Sequence, residues 1–248
     1  MQDEKYLNKF NKDILQLKSW TLSDRQLCDI EMILNGGFSP LDGFMNRKDY
    51  NSVCEKMRLE NNLLWPIPIT LDINDELVDT LEINEEIALR DKEGFVIAIL
   101  TIGDIWTPDK EKEAQQIYQT TDIFHPGVNT LLNETHSTYV GGTLKGIHYP
   151  KHYDYPQLRH TPQELRESFD NWGWKDIIAF QTRNPMHRAH IELTKRALNE
   201  KNAKLLIHPV VGLTKPGDVN HYTRVRCYKH IMNKYPENMA ALSLLPLA

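Results

Sequence analysis

The run Gln181-Thr182-Arg183-Asn184-Pro185-Met186-His187-Arg188-Ala189-His190 gathers an amide, a guanidinium and two imidazoles within ten residues. A guanidinium can fork onto an anion, and two imidazoles can donate to oxygens as negative charge builds on them. Asn184-Pro185 signals a turn, after which a helix can start with its free N–H groups facing the loop. His187 and His190 are three apart, so on that first turn they share a face. Such a set suits phosphoryl-group transfer, which needs positioning and charge neutralisation more than covalent chemistry. Thr182 is a poor nucleophile unaided, so a bound substrate is expected to attack the α-phosphorus of a polyphosphate directly. Two plainer readings stay open for the histidine pair alone: partly exposed surface histidines, or zinc ligands. Zinc lacks an obvious third ligand nearby, and no metal site is expected.

The flanking pattern supplies elements to hold this run. Ile177 to Phe180 is apolar, Arg188 to about Glu200 is helix-like, and Leu205 to Val211 is apolar again. A second helix-like stretch comes around His221 to Lys234, then Ala240 to Leu245. Strand, helix, strand, helix, strand predicts a parallel sheet with crossovers, which binds ligands at the carboxyl ends of its strands. Gln181 to His190 falls at such an end. The loop before the second helix carries Lys215 and Asp218, with Arg224 and Arg226 beyond it. Gly212 and Gly217 would let it bend closely around a ligand. Arg224 and Arg226 read equally well as part of a solvated basic helix, Lys215 as a ligand-binding residue, and His208 as structural. Thr161 and Glu164 form a capping-box start at the domain joint.

Residues 1–160 have a different rhythm, with short segments punctuated by Gly and Pro and strong β character. Two β-prone runs around Asp91 to Gly94 predict a hairpin, and helices are expected over 21–34 and 109–119. The run NGGFSPLDGFM at 35–45 is read as structural turns, because no phosphate-binding glycine motif accompanies it. Trp172 and Trp174 are read as joint packing. Cys28, Cys54 and Cys227 are too few, too scattered and too unpatterned for a disulfide framework or zinc site, and are expected to be reduced structural thiols.

Composition bounds the class. The 248 residues are 40% hydrophobic and 25% charged, an ordinary globular balance that suits two domains. No apolar run approaches a spanning length, and the polar, mixed-charge N-terminus has neither signal-peptide nor transit-peptide plan, so a cytoplasmic protein without a membrane partner is expected. Net charge is −5, yet from Lys175 onward there are 12 Lys and Arg against 5 Asp and Glu. The C-terminal third is the part suited to a polyanion.

The run QTRNPMHRAH resembles the QxRNPxHxxH motif of ATP sulfurylases, a variant of the HxGH-type nucleotidylyltransferase signature. HPVVGLTKPGDVNHYTRVRCYKHI, from His208 to Ile231, is similar to the same family, especially forms fused to an adenylylsulfate kinase. GGFSPLDGFM resembles part of the family's N-terminal PUA-like domain. The resemblance runs in order along nearly the whole chain. It implies a β-rich plus α/β chain: a PUA-like mixed β domain over 1–160, then over 161–248 the first half of a Rossmann-like nucleotidylyltransferase parallel sheet. The family's Gly-Pro-Arg-Glu and Gly-Arg-Asp-His segments are not in the sequence, which implies a catalytic domain lacking its C-terminal part.

The chemistry that the resemblance implies is adenylyl transfer from MgATP to sulfate, giving adenosine 5′-phosphosulfate and pyrophosphate, with Mg²⁺ arriving on the nucleotide and no prosthetic group. Gln181 and Arg183 would hold sulfate, and Gln181 to Asn184 together with Lys215 would contact ATP. Thr182, Arg183 and Asn184 would surround the α-phosphate. His187 and His190 would stabilise the leaving phosphates. Family members are commonly oligomeric, so a homo-oligomer is expected. Two other functions stay open: a nucleotidylyltransferase with another acceptor, and a non-catalytic PUA-like RNA-binding module. The acidic balance of residues 1–174 speaks against the second, and no nucleic-acid partner is expected.

Overall fold

The computed structural model describes residues 14–213 and 217–247. The chain divides into two compact units. One joins the segment up to Ser23 with Pro40–Tyr149, and the other joins Asp24–Ser39 with the chain from Pro150 onward.

The first unit is built on a six-stranded sheet. Its elements are β1 (Ser19–Thr21), β2 (Gly43–Phe44), β3 (Leu71–Ile73), β4 (Glu86–Arg90), β5 (Val96–Trp106) and β6 (Thr138–Gly146). The strands take the order β1-β4-β5-β6-β2, with β3 also on β6. Only β1 with β4 is parallel among these pairs. The expected hairpin is β4–β5: Gly94, at φ +89°, takes the left-handed turn that lets Asp91 N–H reach Phe95 C=O at 3.0 Å. Ile87, Leu89, Leu100, Ile102, Leu71, Ile73 and Val140 are fully buried and make this unit's core. The run 35–45 forms turns and the short strand β2.

Helices arise from their caps. The helix expected over 21–34 begins three residues later, as α1 (Asp24–Leu34), because Thr21 is taken into β1. Gly36, at φ +80°, closes its end. α1 belongs to the second unit although its sequence interrupts the first. The periodicity along 47–56 did not announce α2 (Arg47–Lys56), which is set by Asn46, whose side chain accepts from the Lys48 and Asp49 amides at 2.9 Å each. A single turn, α3 (Asp75–Val78), precedes α4 (Lys110–Tyr118), which matches the expected helix and is capped by Asp109. Another single turn, α5 (Pro126–Asn129), leads into a π-helical turn at Thr130–Glu134.

In the second unit α6 (Pro162–Asn171) opens on the expected capping box: Thr161 Oγ1 accepts from Glu164 N at 3.2 Å, and Glu164 Oε2 from Thr161 N at 2.7 Å. Then come β7 (Ile177–Thr182), α7 (Arg188–Lys201), β8 (Lys204–Pro209), α8 (His221–Met232) and β9 (Ala240–Leu242). The three strands form one parallel sheet in the order β7-β8-β9. This is the alternation the sequence predicts, in a Rossmann-like half-sheet. Strand ends differ by a few residues. β8 stops at Pro209, which has no N–H to give a ladder, and 210–211 and 243–245 continue beside each other through single bonds such as Val211 N to Leu245 O at 2.9 Å.

Met186, Leu198, Leu205, Ile207, Tyr228, Ile231, Tyr235 and Leu242 make this unit's core. Burying a side chain such as Leu205 or Ile207 is worth about 1.5–3 kcal/mol, so β8, filled from α7 and α8, anchors the strand ends. Phe169, Trp172 and Trp174 pack on one another, with Phe169 and Trp174 stacked at 5.7 Å.

Candidate active site

The loop 183–187 leaves the carboxyl end of β7 and enters α7. Pairing of Gln181 with His208 and of Thr182 with Pro209 sets its starting height on the sheet. Gln181, Asn184 and His187 are exposed, Thr182, Arg183 and His190 half-buried, and Met186 points into the core. An apolar anchor between polar neighbours holds the loop down while leaving its polar groups accessible.

Local hydrogen bonds shape the turn. Thr182 Oγ1 lies 3.1 Å from Asn184 O, to which it donates, and accepts from Asn184 N at 3.2 Å. At the start of α7, His187 N–H donates to His190 Nδ1 at 3.1 Å. With Nδ1 accepting, the ring's proton sits on Nε2. His190 therefore caps its own helix and keeps one N–H for a ligand. The two rings stand 5.6 Å apart, centroid to centroid, so the expectation that they share one face holds geometrically.

Arg183 is turned toward the next loop. Its Nη2 donates to Leu213 O at 2.8 Å and meets Asp218 Oδ2 at 3.2 Å, while its buried Nε finds no acceptor among the described residues. The guanidinium is thus held between the two loops, with its charge beside the end of β7. Asp218 sits in a loop that Gly217 turns at φ +89°. Gly212 does something other than expected. A Cβ there would lie 2.2 Å from Leu247 O and 2.9 Å from Cys28 Sγ, so its smallness serves the chain's own packing. Lys215 lies outside the described residues.

Arg224, weighed in sequence as part of a solvated basic helix, is fully buried. It comes from α8, as does Tyr228, whose O–H donates to Asn184 O at 2.8 Å. Tyr228 does not stand out in sequence, since an aromatic at helical spacing reads as core. The structure places both beneath the loop. Arg226 lines a cavity of about 510 Å³ with Pro185, Met186, Thr223, Cys227, His230 and Ile231. None of the expected catalytic side chains lines it. His208 is half-buried, and burial first, with the charge of His160 second, pushes its imidazole below the usual range, as suits a structural histidine. Burial and the neighbouring carboxylates push the Cys28 thiol up to about 12, and burial with Glu113 does the same to Cys54, so neither is a nucleophile. All three cysteines are free.

Among the described residues no group of three or more His, Cys, Asp or Glu side chains could hold a metal ion. No helix among them is long and apolar enough to cross a membrane.

A PUA-like domain family matches residues 1–149, and the ATP-sulfurylase family matches residues 156–248. Sulfate adenylyltransferase of Kluyveromyces lactis is 55% identical over 94% of this chain and 46% of its own. That of Saccharomyces cerevisiae is 54% identical over 92% of this chain and 45% of its own. This chain belongs to the ATP sulfurylase family. Its fold is also similar to the solved structure of a hexameric APS kinase from Thiobacillus denitrificans, 34% identical, with a TM-score of 0.79 over 96% of this chain and 43% of that one. The chain spans about half the length of the curated ATP sulfurylases it matches.

Proposed function

We propose that this chain carries the nucleotide- and sulfate-handling residues of a sulfate adenylyltransferase acting in the cytoplasm. A sulfate oxygen attacks the α-phosphorus of ATP, a new P–O bond forms to sulfate, and the bond to the bridging oxygen breaks. Pyrophosphate leaves with that electron pair, and adenosine 5′-phosphosulfate is the other product. Gln181 and Arg183 hold sulfate. Thr182, Arg183 and Asn184 surround the α-phosphate, and Gln181 and Lys215 contact the nucleotide. His187 and His190 donate to the leaving phosphates. Mg²⁺ comes as MgATP, carried by the substrate's own phosphates.

The observation that supports this reading best is the arrangement at the end of β7. The Arg183 guanidinium is held beside the strand end by Leu213 O and Asp218, and His190, its Nδ1 taken by the His187 amide, has Nε2 left over, on a loop that opens the N-terminus of α7. Donors fixed before a ligand arrives stabilise charge at little reorganisation cost, which is what transfer to an oxyanion demands. A homo-oligomer is proposed on the likeness to the hexameric neighbour.

The test is sulfate-dependent pyrophosphate release from MgATP, measured for this chain and for its longest natural form. Release by either supports the assignment. Turnover by neither with sulfate, but with a different anionic acceptor, would replace sulfate as the substrate.

A further inference from the structure

Arg224 has no task in the chemistry above, yet it is the largest fully buried side chain among the described residues. Its Nη1 donates to Arg183 O at 2.8 Å and to Val210 O at 2.9 Å, joining the segments that leave β7 and β8. Nε and Nη2 meet no acceptor among the described residues. One turn further along α8, on the same face, Tyr228 donates to Asn184 O at 2.8 Å, and its phenol also contacts the Thr182 hydroxyl.

We propose that Arg224 and Tyr228 are positioning residues that grip the carbonyls of Arg183 and Asn184 and thereby set the direction in which those two residues face an oxyanion. Peptide units are planar, so holding the Arg183 carbonyl fixes the Arg183–Asn184 plane, and holding the Asn184 carbonyl fixes the next plane. The two planes leave Asn184 no free backbone rotation. Its N–H, already 3.2 Å from Thr182 Oγ1, and the root of the Arg183 side chain are locked with it. Burying a guanidinium with two idle donors is costly, and a fold that only needed to fill this space would do better with an apolar side chain. Arg224 also adds a full positive charge directly under the loop, where low polarity strengthens its field.

This inference rests on the sulfate adenylyltransferase reading for its substrate, though its geometric content does not. The test uses Tyr228→Phe, Arg224→Lys and Arg224→Met in the longest natural form, with two readouts. The first is kcat and KM for sulfate-dependent pyrophosphate release, and the second is hydrogen exchange of the amides in 182–190. Tyr228→Phe keeps the buried ring and loses only the O–H, so kcat should fall roughly tenfold while KM for ATP hardly moves. Arg224→Met should lose about a hundredfold, and Arg224→Lys, which keeps the charge and can reach one carbonyl, should recover part of that loss. In all three, loop amides should exchange faster while those of β8 keep their protection.

Unchanged kcat and loop exchange in Tyr228→Phe would overturn the proposal. So would a loss matched by faster exchange throughout β7, β8 and α8, because that is general destabilisation. If the parent protein shows no sulfate-dependent turnover but the variants still loosen 182–190 alone, positioning stands and the substrate assignment falls.

Discussion

Each unit buries charged side chains, and two of them, Glu113 and Arg224, are treated in opposite ways. In the first unit Glu113, on α4, is nearly inaccessible, and its Oε2 accepts from Tyr50 O–H at 2.9 Å and Tyr139 O–H at 3.1 Å. Tyr50, Tyr139 and Trp106 pack edge-on or tilted on one another, with ring centroids 5.7–5.8 Å apart. Burial, with the carboxylate's charge next, pushes the Tyr50 phenol well above its usual range, so it stays a donor. In the second unit Arg224 satisfies only one of its nitrogens with acceptors among the described residues. A buried charge whose partners close around it serves the fold. One that directs its bonds to loop carbonyls is, on the proposal above, there to shape the loop.

That contrast can be broken most forcefully at Arg183. Arg183→Ala should cut sulfate-dependent pyrophosphate release by roughly 10²–10³, the usual cost of one preorganised donor, with the circular dichroism spectrum unchanged. His190→Ala should fall in the same range. Near-parental turnover in either would remove that residue from the reaction.

The first unit should respond in stability instead. Glu113→Ala strands two buried phenol O–H groups and should cost about 3 kcal/mol in urea unfolding. Turnover per folded molecule should stay the same. If activity fell more than stability, the division between a structural and a functional buried charge would be wrong.

A smaller effect comes from His208. Burial disfavours its charged form in the folded state, so as pH falls below the ordinary value of 6.5 the unfolded chain takes up the proton first. Stability is full above that value and declines on the acid side. His208→Gln should flatten the decline between about pH 7 and about pH 5 in a series of denaturation curves. An identical slope in the variant would show that other groups carry the acid sensitivity. The smallest effect is expected of Cys28→Ser, which should leave turnover within about twofold, since a thiol held near 12 has no thiolate to offer.

The order of elements in the second unit was readable because strand and helix periods alternate cleanly from Lys175, and the hairpin, the Asp109 helix and the Thr161 capping box were readable from turn and cap chemistry. α2 was missed because its start is set by one Asn46 side chain and its apolar positions are sparse. At the site, the types and spacing of Arg183, His187 and His190 announced the chemistry. They could not announce that His190 caps its own helix, that Arg183 leans toward Asp218, or that Gly212 accommodates Leu247. The last two depend on contacts across tens of residues, and the first on which way one imidazole turns. Arg224 was the hardest to read, because arginine on a basic helix is nearly always in water and only the closure of α8 onto β7 and β8 shows otherwise.

The discontinuous second unit has a consequence for how the protein is made. A ribosome delivers α1, with Ile30 and Ile33 destined for burial, more than a hundred residues before the strands of the unit it joins. Until Pro150 and the chain beyond it emerge, that amphipathic helix has no home, and the first unit must assemble with a sticky insertion hanging from it. Cutting the gene at the apparent joint would strand the helix on the wrong side, so the two halves of the chain are inseparable in synthesis even where they are separate in architecture.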